Sequence, residues 1–364
     1  MAKAITAISY AELRRARLRS QLLAPGSQTV SAAETVSALF ALQSQEWSSA
    51  QLAIHARCPA VSQADVIQAR EVERAFILTW TLRGTLHLVA AEDVRWQLAL
   101  CGPGAIRGTG SRYKRERGLE AIQAILSREG ALIRSQLAQA LDSRGIPVAG
   151  QAIHHLVRYA ALRGLVCFGP EIDGDLSYVL QDQWLPEQAP QPNDPLPALA
   201  RRYLAAYGPA SMTDLKRWSG LATAQVKAAW KAVGNECVAV TLPDGEALML
   251  KEQLGALETA TDETTVRLLP RYDNYLLGYE SRAFMVANAY AKRVHPGGGM
   301  IRACVLIDGE ARANWKLEKR RRGLRVKVSP FERLSAAEAA QLEAEAEALG
   351  EFLNTSAELQ IDGA

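Results

Sequence analysis

Two glutamines separated by one serine, Gln43 and Gln45, stand in the stretch FALQSQEW (40–47), followed by an acid, Glu46, and an aromatic, Trp47. Each carboxamide offers a carbonyl acceptor and an N–H donor group. Such a pair does not serve as a general base near neutral pH. It can fix a water molecule in an attack geometry, and positioning alone contributes several kcal/mol to a reaction. A polar helix end explains the same residues without chemistry, so the surrounding elements must decide. Geometry sets one condition. On a regular helix, residues i and i+2 point about 200° apart, whereas in an extended segment they share one face. A working pair therefore predicts that the preceding helix ends near Gln43.

The elements that would position this pair form a pattern that occurs three times: helices, a short helix-turn-helix signal, then a strand pair. In the first unit Tyr10–Ala24 reads as a basic amphipathic helix. Ser31 with Glu34, and Ser62 with Asp65, have the spacing of capping boxes. AFILTWTLRGTLHLV then turns at Gly84 into the strand-like Thr85–Val89. In the second unit, helices stop at Gly130, Gly145 and Gly164. VCFG and LSYVL flank the turn PEIDGD as a β-hairpin. Three helices followed by a two-stranded hairpin make a winged helix. LPEQAPQPNDPLP (185–197) reads as a linker. The third unit breaks at Gly208-Pro209 and Gly220, and takes its wing from CVAVTLPDGEALML. Residues 264–330 are strand-rich, and Ser335 with Glu338 caps a last helix stopped by Gly350.

The expected fold is thus mainly α with β (α+β). Winged helix 1 (1–100) carries the Gln-x-Gln pair. Winged helix 2 (101–185), a Pro-rich linker (186–197) and winged helix 3 (198–255) follow. A small β-sheet or barrel (256–333), a C-terminal helix (334–352) and a frayed acidic tail (353–364) complete it. Winged helices place one helix in the DNA major groove and the wing against the backbone.

The charge pattern agrees with a polyanionic partner. The net charge of +3 over 364 residues conceals an end, from Glu332 onward, with eight acids and one Arg. Subtracting that −7 leaves +10 on the body. One basic patch, IRGTGSRYKRERG (106–118), carries Arg112, Lys114 and Arg115; a second, KLEKRRRGLRVK (316–327), carries Lys319, Arg320, Arg321 and Arg322. Either patch alone is equally a solvated surface. The five cysteines are odd in number and scattered without CxxC spacing, so neither a disulfide framework nor a zinc site is expected. No apolar run nears the roughly 18 residues that span a bilayer, and the expected location is the cytoplasm.

Five strings occur in order: LQSQ, TWTLRGTLHLVAAEDVRW (79–96), GLVCFGP (164–170), YLAAYGPASMTDLKRWSGL (203–221) and LLPRYDNYLLGYESR (268–282). Together, over roughly residues 8–333, the chain resembles the AlkZ/YcaQ family of winged-helix DNA glycosylases. The resemblance implies tandem winged helices and a small β-domain forming a concave, basic DNA cradle. It implies removal of N-alkylated purines, including bulky or crosslinked adducts, and some relatives protect antibiotic producers from their own alkylating product. The family's catalytic signature, Gln-x-Gln or Gln-x-Asp, falls on Gln43-Ser44-Gln45, which is similar to the AlkZ branch.

Under that resemblance the chemistry of two amides becomes sufficient. Hydrolysis of a base–sugar bond develops oxocarbenium character at C1′. Alkylation at purine N7 or N3 already makes the base cationic, so no strong acid is needed. The enzyme would hold a water and direct carbonyl dipoles at the sugar, act on duplex DNA containing alkylated purines as a monomer, and require no cofactor or metal. With no lysine in the motif, a Schiff-base lyase step is not indicated. Further candidates for DNA contact are Trp47, Arg83, His87, Arg271, Tyr272, Asn274 and Arg282, with the turn HPGGG (295–299) able to approach a groove. Burial is the competing reading for Trp47 and His87, a structural hydrogen-bond network for Arg271–Asn274. A non-catalytic winged-helix regulator would use the same cradle and need neither glutamine.

Overall fold

The computed structural model describes residues 6–107, 115–185, 191–258 and 264–363. After a short strand β1 (Thr6–Ala7) and helix α1 (Tyr10–Ser20), the first unit runs α2 (Ala32–Leu39), β2 (Leu42–Gln43), α3 (Trp47–His55), α4 (Gln63–Glu71), β3 (Phe76–Trp80) and β4 (Leu86–Ala90). Helix α5 (Val94–Arg107) leads into the second unit: α6 (Arg115–Glu129), β5 (Leu132–Ile133), α7 (Arg134–Asp142), α8 (Ala152–Leu162), β6 (Val166–Ile172) and β7 (Asp175–Leu180). The short α9 (Gln181–Trp184) follows. The third unit is α10 (Pro195–Tyr207), α11 (Met212–Ser219), α12 (Thr223–Val233), β8 (Cys237–Leu242) and β9 (Gly245–Leu250). All three share one topology. The strand after the first helix pairs with the second strand of the wing: β2 with β4, β5 with β7, and in the third unit a single bridge from Ala210 to Leu248.

The remainder contains α13 (Gly255–Glu258), β10 (Val266–Leu269), α14 (Asn274–Leu277), α15 (Ala291–Val294), β11 (Cys304–Ile307), β12 (Glu310–Lys319), β13 (Leu324–Pro330), α16 (Ala336–Phe352) and β14 (Ala357–Ile361). Its sheet has the order β10-β11-β12-β13-β14 and stays open, so the barrel alternative does not hold. The acidic end is not frayed: β14 pairs parallel to β13 from Leu324↔Ala357 to Val328↔Ile361. Alternating Leu359 and Ile361 lie half-buried against the core, and that burial outweighs the local acidity.

Local chemistry explains most boundaries. Ser62, Ser211 and Ser335 form reciprocal capping boxes with Asp65, Asp214 and Glu338. Ser31 caps α2, but Glu34 returns to the Val30 N–H at 3.2 Å. Helix α1 stops at Ser20 rather than Ala24, because Leu22 turns left-handed at φ 60°. Helix α10 begins inside the expected linker. Asp194 caps it and Pro195 occupies the first turn, where a proline loses no helical hydrogen bond. Helix α5 runs across the boundary expected at residue 100.

Long-range pairing departs furthest from three separate units. Leu78 of β3 pairs with Phe168 of β6, which merges the first two wings into one sheet, β2-β4-β3-β6-β7-β5. The N-terminal segment belongs with the third unit instead: β1 pairs with β8, and the Arg17 guanidinium donates twice to the Pro209 carbonyl, at 3.0 and 2.9 Å. One core joins α1, the third unit and the 272–294 region. A second joins the first two units to the open sheet and α16. Among the described residues no helix is long and apolar enough to cross a membrane.

Candidate nucleic-acid hydrolysis site

Helix α2 ends at Leu39 because Phe40 adopts φ 66° and drives its ring between Trp96 and Trp218, at centroid distances of 5.1 and 6.0 Å. A left-handed non-glycine residue is strained, and the aromatic packing offsets that strain. The chain then runs extended through β2, as the i, i+2 argument requires. Ser44 fastens it: its N–H donates to the Leu86 carbonyl at 2.9 Å, and its hydroxyl accepts the Leu88 N–H at 3.1 Å.

Gln43 is 9% exposed, whereas Gln45 is exposed to solvent. Three groups hold Gln43. Asn274 Oδ1 accepts its main-chain N–H at 2.7 Å. Arg83 Nη2 donates to its Oε1 at 3.2 Å. His87 is its cross-strand partner in β4, so the two side chains lie on the same sheet face. An arginine has only donors, so the amide atom facing Arg83 must be the carbonyl oxygen. That leaves Gln43 Nε2 and one Oε1 lone pair for another ligand.

Several candidates are engaged by protein groups. Arg83, at φ 55°, lies in the turn between β3 and β4, and its second amino group donates to the Trp218 carbonyl of α11. Gly220, left-handed at φ +70°, permits this approach: a Cβ there would stand 2.9 Å from Arg83 Cγ. His87 is 1% exposed, and its Nδ1 lies 3.0 Å from the Thr85 carbonyl. Burial, with Arg83's charge adding to it, pushes the His87 pKa down to about 3, so the ring stays neutral. Asn274 is 4% exposed; its Nδ2 donates to the Ala41 carbonyl at 2.9 Å and to Tyr207 Oη at 2.6 Å. Trp47 opens α3 half-buried, with the Arg70 guanidinium 4.3 Å from its ring centre. Of these four candidates, His87 and Asn274 are buried and Arg83 and Trp47 half-buried against protein groups; sequence spacing does not reveal which face a neighbouring unit covers.

Arg271 and Tyr272 stay at the rim. Arg271 Nη1 pairs with Glu46 Oε1 at 2.7 Å, next to Gln45. Arg271 Nη2 and Tyr272 Oη point at Met300 Sδ, at 2.8 and 3.3 Å, which ties the turn at 295–299, exposed from 296 onward, to this rim. Arg282 is half-buried beside Arg217, and burial lowers its pKa. Lys319, Arg320, Arg321 and Arg322 are exposed at the tip of the β12–β13 hairpin. Arg112 and Lys114 lie outside the described residues, and Arg115 opens α6.

Sequence reasoning missed Arg57, the partner of Asp273, whose stretch Arg271–Asn274 had a structural hydrogen-bond network as one of its two readings. Their side chains are both 0% exposed and form a bidentate pair, with both N–O distances 2.8 Å. This pair pins the loop carrying Asn274 to the first unit. Asp273 stood in the quoted PRYDN string, but Arg57 has no local signal.

Three winged helices packed on an open sheet, together with the family match that follows, make this chain a DNA glycosylase, an enzyme that hydrolyses N-glycosyl bonds. The family model described as DNA glycosylase AlkZ-like matches residues 36–352, and the chain belongs to that family. It is 28% identical to the interstrand DNA cross-link repair glycosylase of Streptomyces sahachiroi over 323 residues, 83% of this chain and 86% of the relative. The solved structure of Streptomyces sahachiroi DNA glycosylase AlkZ is similar throughout, with a TM-score of 0.81 at 25% identity, covering 98% of this chain and 100% of that one.

Proposed function

We propose that Gln43 and Gln45 form the hydrolytic centre of a monofunctional glycosylase that releases cationic N-alkylated purines from duplex DNA. The observation that carries this reading is the fixed carboxamide of Gln43, held through Oε1 by Arg83 and through its main chain by Asn274, two residues from the exposed Gln45. An immobilised amide and a solvent-facing amide can clamp one water between them without any group changing protonation. The reaction needs nothing stronger, because the alkylated base leaves neutral from a cationic ground state. Its transition state is a positive sugar, and a protonated His87 behind the motif would oppose it. Burial keeps that ring neutral.

Likeness to a cross-link repair glycosylase supports extending the substrates to guanines joined through an alkyl bridge, where hydrolysis of a glycosyl bond unhooks the strands. The exposed Lys319–Arg322 tip and the basic patch around Arg112, Lys114 and Arg115 would take the phosphates. The test is release of N7-methylguanine from alkylated duplex. Gln43→Ala and Gln45→Ala should each abolish release while duplex binding persists. Tight duplex binding by the wild-type chain with no base released would instead favour a regulator.

A further inference from the structure

One cleft lies beside the motif without a role in the hydrolysis. It has a volume of about 260 Å³ and sits between α3 and the open sheet. Its floor and walls include Leu52, Trp315 and Leu317, and its rim carries Arg271, Arg302 and Lys316. Trp315 is held rigidly, with its indole N–H donating to the Leu269 carbonyl at 2.7 Å. The cleft begins one helical turn from the motif: Ser49, which lines it, donates to Glu46 Oε2 at 3.1 Å, and Glu46 follows Gln45. Arg271 joins the two places directly, lining the cleft while bonding Glu46 Oε1 at 2.7 Å.

We infer that this cleft receives the apolar, planar appendage of an alkylated purine, and so selects bulky adducts over small ones. The inference rests on the reading of Gln43 and Gln45 given above. Three features identify the occupant. The volume is below the ~300–1,000 Å³ of sites that enclose a whole drug-sized ligand, so the cleft takes a fragment and not a nucleotide. Its walls are apolar, which disfavours a sugar or phosphate inside it. The rim carries three cations, of which Arg271 pairs with Glu46 and Lys316 with Glu318 at 2.9 Å in solvent-exposed pairs; such pairs are worth little, so phosphates flanking a lesion can compete for these cations while the appendage inserts.

The experiment compares two duplexes under single turnover, one carrying N7-methylguanine and one carrying a guanine N7 adduct with a two-ring aromatic appendage. Leu52→Trp fills the cleft, and Leu317→Ala opens it. Leu52→Trp is expected to keep methylguanine release and to lose about tenfold or more on the aromatic adduct, the scale on which an apolar pocket discriminates. Leu317→Ala is expected to weaken the aromatic adduct alone, and to a smaller extent. Equal losses on both duplexes, or no loss on either, would overturn the inference while leaving the hydrolytic reading intact. A wild-type chain that releases neither base defeats the hydrolytic reading instead.

Discussion

Asn274 binds the main chain around Gln43 as an adjoining strand would: its Oδ1 takes the Gln43 N–H at 2.7 Å and its Nδ2 reaches the Ala41 carbonyl at 2.9 Å. The motif strand β2 is only two residues long and pairs with β4 on one side. A carboxamide from the C-terminal half therefore supplies hydrogen bonds on its other side. Asn274 touches no solvent-facing group of the motif and is a positioning residue.

Replacing Asn274 with Ala strands a buried N–H and a buried carbonyl, at about 1–3 kcal/mol for each group left unpaired. Asn274→Asp keeps the acceptor for Gln43 but turns an oxygen toward the Ala41 carbonyl. Both variants should lower kcat for methylguanine release by roughly 10²-fold, the penalty of a 1 Å misplacement, with KM little changed. Tyr207→Phe, which removes the 2.6 Å contact to Nδ2 and a hydrogen bond with the Trp218 side chain but leaves both Asn274 bonds to the motif backbone, should have a smaller effect in the same direction. Wild-type kcat in a folded Asn274→Ala protein would contradict the positioning role.

The Arg57–Asp273 pair sets how firmly that loop is seated. Neither side chain meets solvent, and Arg57 also donates to the Gln21 and Ala53 carbonyls, both at 2.9 Å. Removing one partner of a buried pair leaves an uncompensated charge and costs about 3–5 kcal/mol. Asp273→Asn should therefore lower the urea midpoint sharply. Combining it with Arg57→Leu should recover part of the loss, because the stranded charge is gone. Additive losses in the double variant would show that the pair acts through packing alone.

Acid should destabilise the fold through its buried imidazoles. Burial pushes His87 down to about 3 and His55 to about 4, helped by the charges of Arg83 and Arg267 respectively. Unfolded, each would titrate at the ordinary 6.5. Between these values the unfolded chain binds more protons, so stability rises with pH there. It is fully present above about pH 6.5 and falls by ~1.4 kcal/mol per pH unit for each such histidine as the pH drops toward the folded value. His55 stacks on Phe352 at 4.6 Å. His55→Phe should keep that packing and flatten the slope by about one proton, measured from urea midpoints across the acid range. An unchanged slope would exclude His55 as a contributor.

The local parts of this architecture were legible because local chemistry sets them. Serine caps three residues before an acid, glycine stops and Asp-Gly turns located the helices and wings within a few residues. The extended course at Gln43 followed from the i, i+2 geometry. What escaped was set by contacts distant in sequence. Nothing near Leu78 announces its pairing with Phe168, and nothing near Ala357 announces β14. Arg83 and His87 read as polar candidates because a wing usually faces outward; here α5 and α11 pack on the turn that carries Arg83, and His87 is buried. Asn274 was noticed for its polarity, and only the fold shows that its partner is the motif's own backbone.

The hairpin tip offers a test of the DNA surface that is independent of catalysis. Lys319, Arg320, Arg321 and Arg322 are all exposed, and among the described residues their one carboxylate partner is Glu318, 3.4 Å from Arg320. Exposed pairs of this kind are worth little, so these cations are available to phosphates. Each phosphate contact adds about 0.9 to the slope of log K against log salt for duplex DNA. Replacing Arg320, Arg321 and Arg322 together with Ser should reduce that slope by about two to three and weaken undamaged and lesion-bearing duplex alike. Base release measured at saturating enzyme should change little, because Gln43 and its holders are untouched. An unaltered salt slope would place the DNA elsewhere on the molecule. A loss confined to lesion-bearing duplex would mean that the tip reads the lesion instead of the backbone.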